Sequence, residues 1–138
     1  MIAESLMEEV MLARFTYCDA DDANVLTATI PSECILSEAV GRGASEVRPY
    51  NHLTDYVTAF GAEQTSFNNG ANVLVDAAGA PYPAGYSATL KMEELALNGV
   101  GSGDGDSVKI SISVTDTVTK EIIRLESFRL RYAPNSPP

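Results

Sequence analysis

The sequence predicts an α+β fold, a roll in which one N-terminal amphipathic helix packs on a three- to four-stranded antiparallel β-meander. Three observations predict it. Residues 2–15 repeat apolar side chains at helical spacing. Residues 108–115 alternate, Val108, Ile110, Ile112 and Val114 against Lys109, Ser111, Ser113 and Thr115, which is the period of a half-buried strand. Between them lies a long stretch rich in turn residues. At 138 residues the chain has the length of one domain. We read 1–138 as a single domain: helix 2–15, loop-rich region 16–84, meander 85–133.

In the helix, Ala3, Leu6, Met7, Val10, Met11 and Arg14 share one face. Glu4, Glu8 and Glu9 come early and Arg14 late, as the helix dipole prefers. No capping residue precedes it, the expected pattern of a helix continuing from an upstream segment. In the loop-rich region, residues 19–24 form an acidic turn cluster. Thr27–Ile30 reads as a short strand stopped by Pro31, and Glu33–Val40 as one or two helical turns ended by Gly41 and Gly43. Pro49–Phe60 holds a short helix around His52–Tyr56, with Gly61 as its C-cap. Asn68-Asn69-Gly70 is a turn signal.

The meander begins with a strand from Tyr86. A Gly/Asp loop from Asn98 to Asp106 leads to the alternating second strand. Asp116–Lys120 fits a hairpin loop, and Glu121–Tyr132 reads as the third strand. Its apolar phase shifts from Ile123 and Leu125 to Phe128, Leu130 and Tyr132, so a β-bulge near Glu126-Ser127 is expected. A half-buried meander needs a cover, and the N-terminal helix is the candidate.

Composition excludes several function classes. Nine Lys+Arg face nineteen Asp+Glu, a formal charge of −10, opposite to the basic footprint of a nucleic-acid binder. The same balance disfavours docking on anionic lipid. No run of apolar residues is long enough to span a bilayer. His52 is the one histidine, and no Gly-x-Ser-x-Gly elbow accompanies it, so it reads as structural or exposed, and a small hydrolase would rest on it alone. Asp19, Asp21 and Asp22 are weak calcium candidates, because an EF-hand aligned on them would place Ala23, Asn24 and Ile30 at its fifth, sixth and twelfth positions. Their simpler reading is a solvated turn, and the expectation is no required cofactor. Glu8-Glu9 and Glu93-Glu94 read as solvated faces, since adjacent side chains diverge.

Cys18 and Cys34 are the two cysteines. Either they are free thiols in a reducing compartment, or they form a disulfide outside the cytosol. The even count and the polar, irregular segment between them favour the disulfide. It would close a loop of about 17 residues and contribute about 3 kcal/mol.

Four segments resemble the minor pilins of the mannose-sensitive haemagglutinin (MSHA) type IV pilus system. The run from Glu4 to Phe15 is similar to the pilin helix just beyond its membrane-spanning half. Residues 17–24, with Cys18 followed by an acidic cluster, resemble a Cys-Asp-x-Asp-Asp-Ala stretch. Residues 49–56 resemble an acidic-aromatic box, with Asn51, His52 and Thr54 at acidic positions. Asp76–Pro81 followed by Tyr86 resembles the entry to the sheet. The pilin cleavage site, early glutamate and apolar first half of the helix are absent from these residues.

The resemblance implies a pilin-like roll, no enzymatic activity, and a role in pilus assembly, initiation or tip function. The expected location is the periplasm or the extracellular pilus. Other pilin subunits are the expected partners, and membrane contact would run only through an upstream helix. A pseudopilin of a type II secretion system is the nearest alternative. An extracellular adhesion or carbohydrate-binding domain using Tyr50, Tyr56, Tyr82 and Tyr86 is another. Leu6, Val10, Arg129 and Arg131 are expected subunit contacts. Lys120, Arg124, Arg129 and Arg131 at one end of the sequence either complement the acidic first 22 residues in subunit packing or are scattered surface charge, the reading we favour.

Overall fold

The computed structural model describes residues 2–16, 18, 22–28, 33–35, 41, 46–95 and 107–130. Helix α1 spans Ile2–Met11. Strands β1 (Tyr86–Glu94), β2 (Ser107–Asp116) and β3 (Ile122–Leu130) form one antiparallel sheet in the order β1-β2-β3. The fold is α+β, with three strands among the described residues. Among the described residues no helix is long and apolar enough to cross a membrane.

Helix α1 buries Ala3, Leu6 and Val10 against the sheet face formed by Ala88, Leu90 and Met92 of β1 and Val108, Ile110, Ile112 and Val114 of β2. The alternation of β2 produces this face directly, since successive side chains point to opposite sides. The segment around Leu53–Val57, with Phe67 and Leu74, completes the same core. A small second cluster holds Cys18, Val25 and Ala28, with Cys34 packed on it.

The helix ends at Met11, four residues before its expected end. Ala13 closes the last turn with a bond to the Val10 carbonyl (3.1 Å). Arg14 then runs parallel to His52, and its carbonyl accepts from the Leu53 N–H (2.7 Å). The guanidinium of Arg129 donates to the carbonyls of Met11 (2.9 Å) and Ala13 (3.0 Å). These carbonyls are the acceptors that a helix end leaves without partners. A distant arginine thus fills the role expected of Arg14.

The expected bulge in β3 is absent. The register with β2 is unbroken from Ser107↔Leu130 to Thr115↔Ile122. Ile123, Leu125, Ser127 and Arg129 share the helix-facing side, while Ile122, Phe128 and Leu130 lie on the outer face. The phase shift therefore reflects two apolar faces on one regular strand.

The expected short helix is a 3-10 turn, Leu53–Tyr56, capped at its C-terminus by Val57. Gly61 instead sits at φ +85°, and its N–H donates to the Met92 carbonyl (2.7 Å) along the β1 edge. Asn69 anchors its predicted turn by accepting from the N–H groups of Ala71 (2.9 Å) and Val73 (3.0 Å). In the β2–β3 hairpin, Asp116 Oδ1 accepts from the N–H groups of Val118 (2.9 Å) and Thr119 (3.1 Å). The Thr119 and Val118 amides hold its carboxyl below the usual range. Thr27 lies in a turn, not a strand. Ala28 is buried and likewise not in a strand; residues 29–30 of the expected strand, most of the helical turns to Val40, the Gly/Asp loop at 98–106 and the end of the third strand lie outside the described residues.

Candidate functional site

Cys18 and Cys34 form a disulfide, with Cα atoms 5.4 Å apart. Such a bond fits an oxidising compartment, periplasmic or extracellular. It is tied to the body of the domain through a short relay. The Thr16 hydroxyl donates to the Cys18 carbonyl (2.8 Å), and His52 Nε2 lies 3.0 Å from the Thr16 carbonyl. That contact assigns the proton to Nε2. Nδ1 then accepts from the Thr54 N–H (3.2 Å), and Thr54 Oγ1 lies 2.8 Å from the same nitrogen. The carboxylate of Asp55 accepts from the His52 N–H (3.2 Å), completing a capping box. Both ring nitrogens of this buried histidine serve the fold.

A second polar cluster was not legible in the sequence. Arg48 and Glu9 form a bidentate ion pair, Nη2 to Oε1 at 2.6 Å and Nε to Oε2 at 2.9 Å. Their side chains are 8% and 7% exposed, so Glu9 belongs to the interior and not to a solvated Glu8-Glu9 face. Arg48 Nη1 also donates to the carbonyls of Phe67 (3.0 Å) and Val75 (2.8 Å). The guanidinium carbon lies 5.0 Å from the centre of the Phe67 ring, within cation–π range. The Tyr56 hydroxyl donates to Glu9 Oε2 (2.8 Å) and accepts from the Tyr50 N–H (3.2 Å). One carboxylate on α1 thereby fastens three loop segments to the helix.

Burial, followed by the adjacent Glu9 charge, pushes the Tyr56 phenol well above its ordinary value. The sign follows from the folded state disfavouring phenolate. Stability is complete below about pH 10, where an unfolded tyrosine ionises, and falls as pH rises above it. Urea unfolding between about pH 8 and pH 11 should show a steeper loss for the native chain than for Tyr56→Phe. Equal slopes would contradict the assignment.

Beside this cluster an open cleft of about 1000 Å³ runs between Arg48, Tyr50 and Tyr56 on one side and residues 62–70 and 75–79 on the other. Its polar side chains hold its own walls. Gln64 Oε1 accepts from the Thr58 N–H (2.9 Å) and hydroxyl (3.2 Å). Ser66 donates to the Tyr56 carbonyl. Asp76 Oδ1 accepts from the N–H groups of Ala78 (2.9 Å) and Ala80 (2.8 Å).

The four tyrosines do not form a shared platform. Tyr56 is buried, Tyr50 packs edge-on against it with ring centres 4.8 Å apart, and Tyr82 reaches Ser5 on α1 (3.1 Å). Tyr86 is exposed at the start of β1. Asp22 is buried, and its carboxylate accepts from the Asn24 N–H (2.7 Å), a local Asx turn. Asp19 and Asp21 lie outside the described residues. Among the described residues no group of three or more His, Cys, Asp or Glu is placed to hold a metal ion.

The expected subunit contacts are redistributed. Leu6 and Val10 lie fully inside the chain's own core, because the helix face they share meets the sheet. Arg129 caps α1, so with Glu9 paired internally the alternative of charge complementarity between the chain's ends loses a residue on each side. Arg131 lies outside the described residues. Among the described residues the outer face of β3 carries exposed apolar side chains, with Ile122 60%, Phe128 59% and Leu130 49% exposed. The signal in the sequence was the apolar phase shift from Ile123 and Leu125 to Phe128 and Leu130. No protein-family model, curated protein or solved structure matches this chain.

Proposed function

We propose that this chain is the globular domain of a minor pilin in an MSHA-like type IV pilus. It acts by protein–protein contact in pilus initiation, assembly or tip function, and carries no enzymatic activity. The observation that supports the reading best is the order of parts. An N-terminal helix covers one face of an antiparallel meander, and a disulfide staples the loop region between them. The four sequence resemblances fall in the same order along the chain. On this reading the domain works in the periplasm and on the extracellular pilus, and an upstream helix anchors the precursor in the inner membrane.

Deleting the gene in its own organism should reduce the number of surface filaments seen by electron microscopy. Expression of the full-length gene should restore them. Normal filament number, length and adhesion in the deletion strain would contradict a pilus role. A secretion defect with intact filaments would favour the pseudopilin alternative.

A further inference from the structure

The two edges of the sheet are treated differently. The β1 edge is covered: Gly61 donates to the Met92 carbonyl (2.7 Å), and Gln64 and Leu90 exchange a pair of backbone bonds at 2.8 Å. The β3 edge has no such cover among the described residues. Its polarity can be phased from the hairpin, where the Asp116 N–H donates to the Glu121 carbonyl (2.9 Å). In the continuous register that follows, odd-numbered residues of β3 exchange backbone bonds with β2. The N–H and C=O groups of Ile122, Arg124, Glu126, Phe128 and Leu130 therefore point to the open edge. The side chains of those same residues occupy the outer face. A nine-residue edge with exposed apolar side chains is a template for strand addition.

We propose that the β3 edge pairs antiparallel with β3 of a second copy, making a continuous six-stranded sheet. The side chains select one register. With Leu125 facing Leu125 of the second copy across the twofold axis, Arg124 lies opposite Glu126, and Ile122 lies opposite Phe128. Each of these pairs occurs twice. The outward-pointing backbone groups of the two strands then meet, because both partners of every such pair are even-numbered. Moving the axis by one residue would place Glu126 on Glu126 or Arg124 on Arg124, and like charges directly opposite are unfavourable.

The charges of the single chain are consistent with this partner. Glu126 already pairs with Lys109 on β2 (3.4 Å), which also approaches Glu93 on β1 (3.8 Å). Arg124 donates to the Ser113 hydroxyl (3.0 Å) but has no ion-pair partner among the described residues. The second copy's Glu126 supplies one and extends the alternating charge ladder across the interface. The exposed Ile122 and Phe128 cover each other in the same step. The inference does not depend on the pilin reading.

Sedimentation across a concentration series should show a monomer–dimer equilibrium. Arg124→Glu should weaken the dimer about tenfold, because two facing pairs become repulsive. The Arg124→Glu/Glu126→Arg double variant should restore it. The register has its own test. The native cysteines are already joined, so a single added thiol reports proximity. Under mild oxidation Leu125→Cys should cross-link to itself faster than Arg124→Cys or Glu126→Cys. A monomer at every concentration, a dimer indifferent to Arg124→Glu, or faster linkage at 124 or 126 would overturn the proposal.

Discussion

Arg48→Ala should destabilise the domain by about 3–5 kcal/mol, the cost of leaving one member of a buried ion pair without its partner. The loss has three sources. The Glu9 carboxylate keeps its place in the interior but loses two charge-assisted bonds. The carbonyls of Phe67 and Val75 lose their shared donor. The face of the Phe67 ring loses its cation. Arg48→Lys should recover only part of the stability, because an ammonium cannot reproduce the planar fork that reaches four acceptor atoms. A double replacement, Arg48→Met/Glu9→Leu, should be milder than Arg48→Ala, since removing both charges avoids the unpaired carboxylate. Urea unfolding at neutral pH measures all three. A loss below about 1 kcal/mol for Arg48→Ala would place the pair in the exposed, weak class instead.

Removing the disulfide is the second large effect. Cys18→Ala/Cys34→Ala should lower stability by about 3 kcal/mol, the chain-entropy value for a loop with its sequence separation of 16. For a domain of this length that corresponds to a melting temperature lower by on the order of 10 °C. The sheet and α1 should persist, because their core shares no residue with the small cluster around Cys18. Proteolysis should therefore begin within residues 18–34 while the β-sheet circular dichroism signal remains. An unchanged melting temperature after reduction or substitution would contradict this account of the staple.

These two predictions differ in how far the sequence reveals them. The disulfide, the alternating β2 strand and the hairpin loop at Asp116 rest on local pattern, and all three appear in the structure. The Arg48–Glu9 pair joins residues 39 apart, and neither residue stands out by spacing or composition. An adjacent Glu8-Glu9 looks like a solvated face until a loop residue folds over one of them. The helix end was misplaced for the same reason: Arg129 caps it from 118 residues away, whereas helix propensity reads only neighbours. The apolar phase shift in β3 was visible but ambiguous. A bulge and a strand with two apolar faces give the same pattern, and only the unbroken register separates them.

The β3 edge and the pilin reading make separable demands. A twofold dimer through β3 could exist in any secreted protein of this shape, while a filament subunit needs contacts that propagate or initiate a polymer. Failure of the cross-linking experiment would remove the dimer and leave the filament reading untouched. The exposed apolar residues of the β3 outer face are Ile122, Phe128 and Leu130, so they are the first positions to alter for the dimer.

Mass spectrometry of filaments sheared from the surface of the native organism tests the central claim most directly. The account predicts peptides of this chain in the sheared fraction, with Cys18 and Cys34 joined and resistant to alkylation until reduced. Recovery of the protein only from the cytosol, with both cysteines freely alkylated, would contradict it.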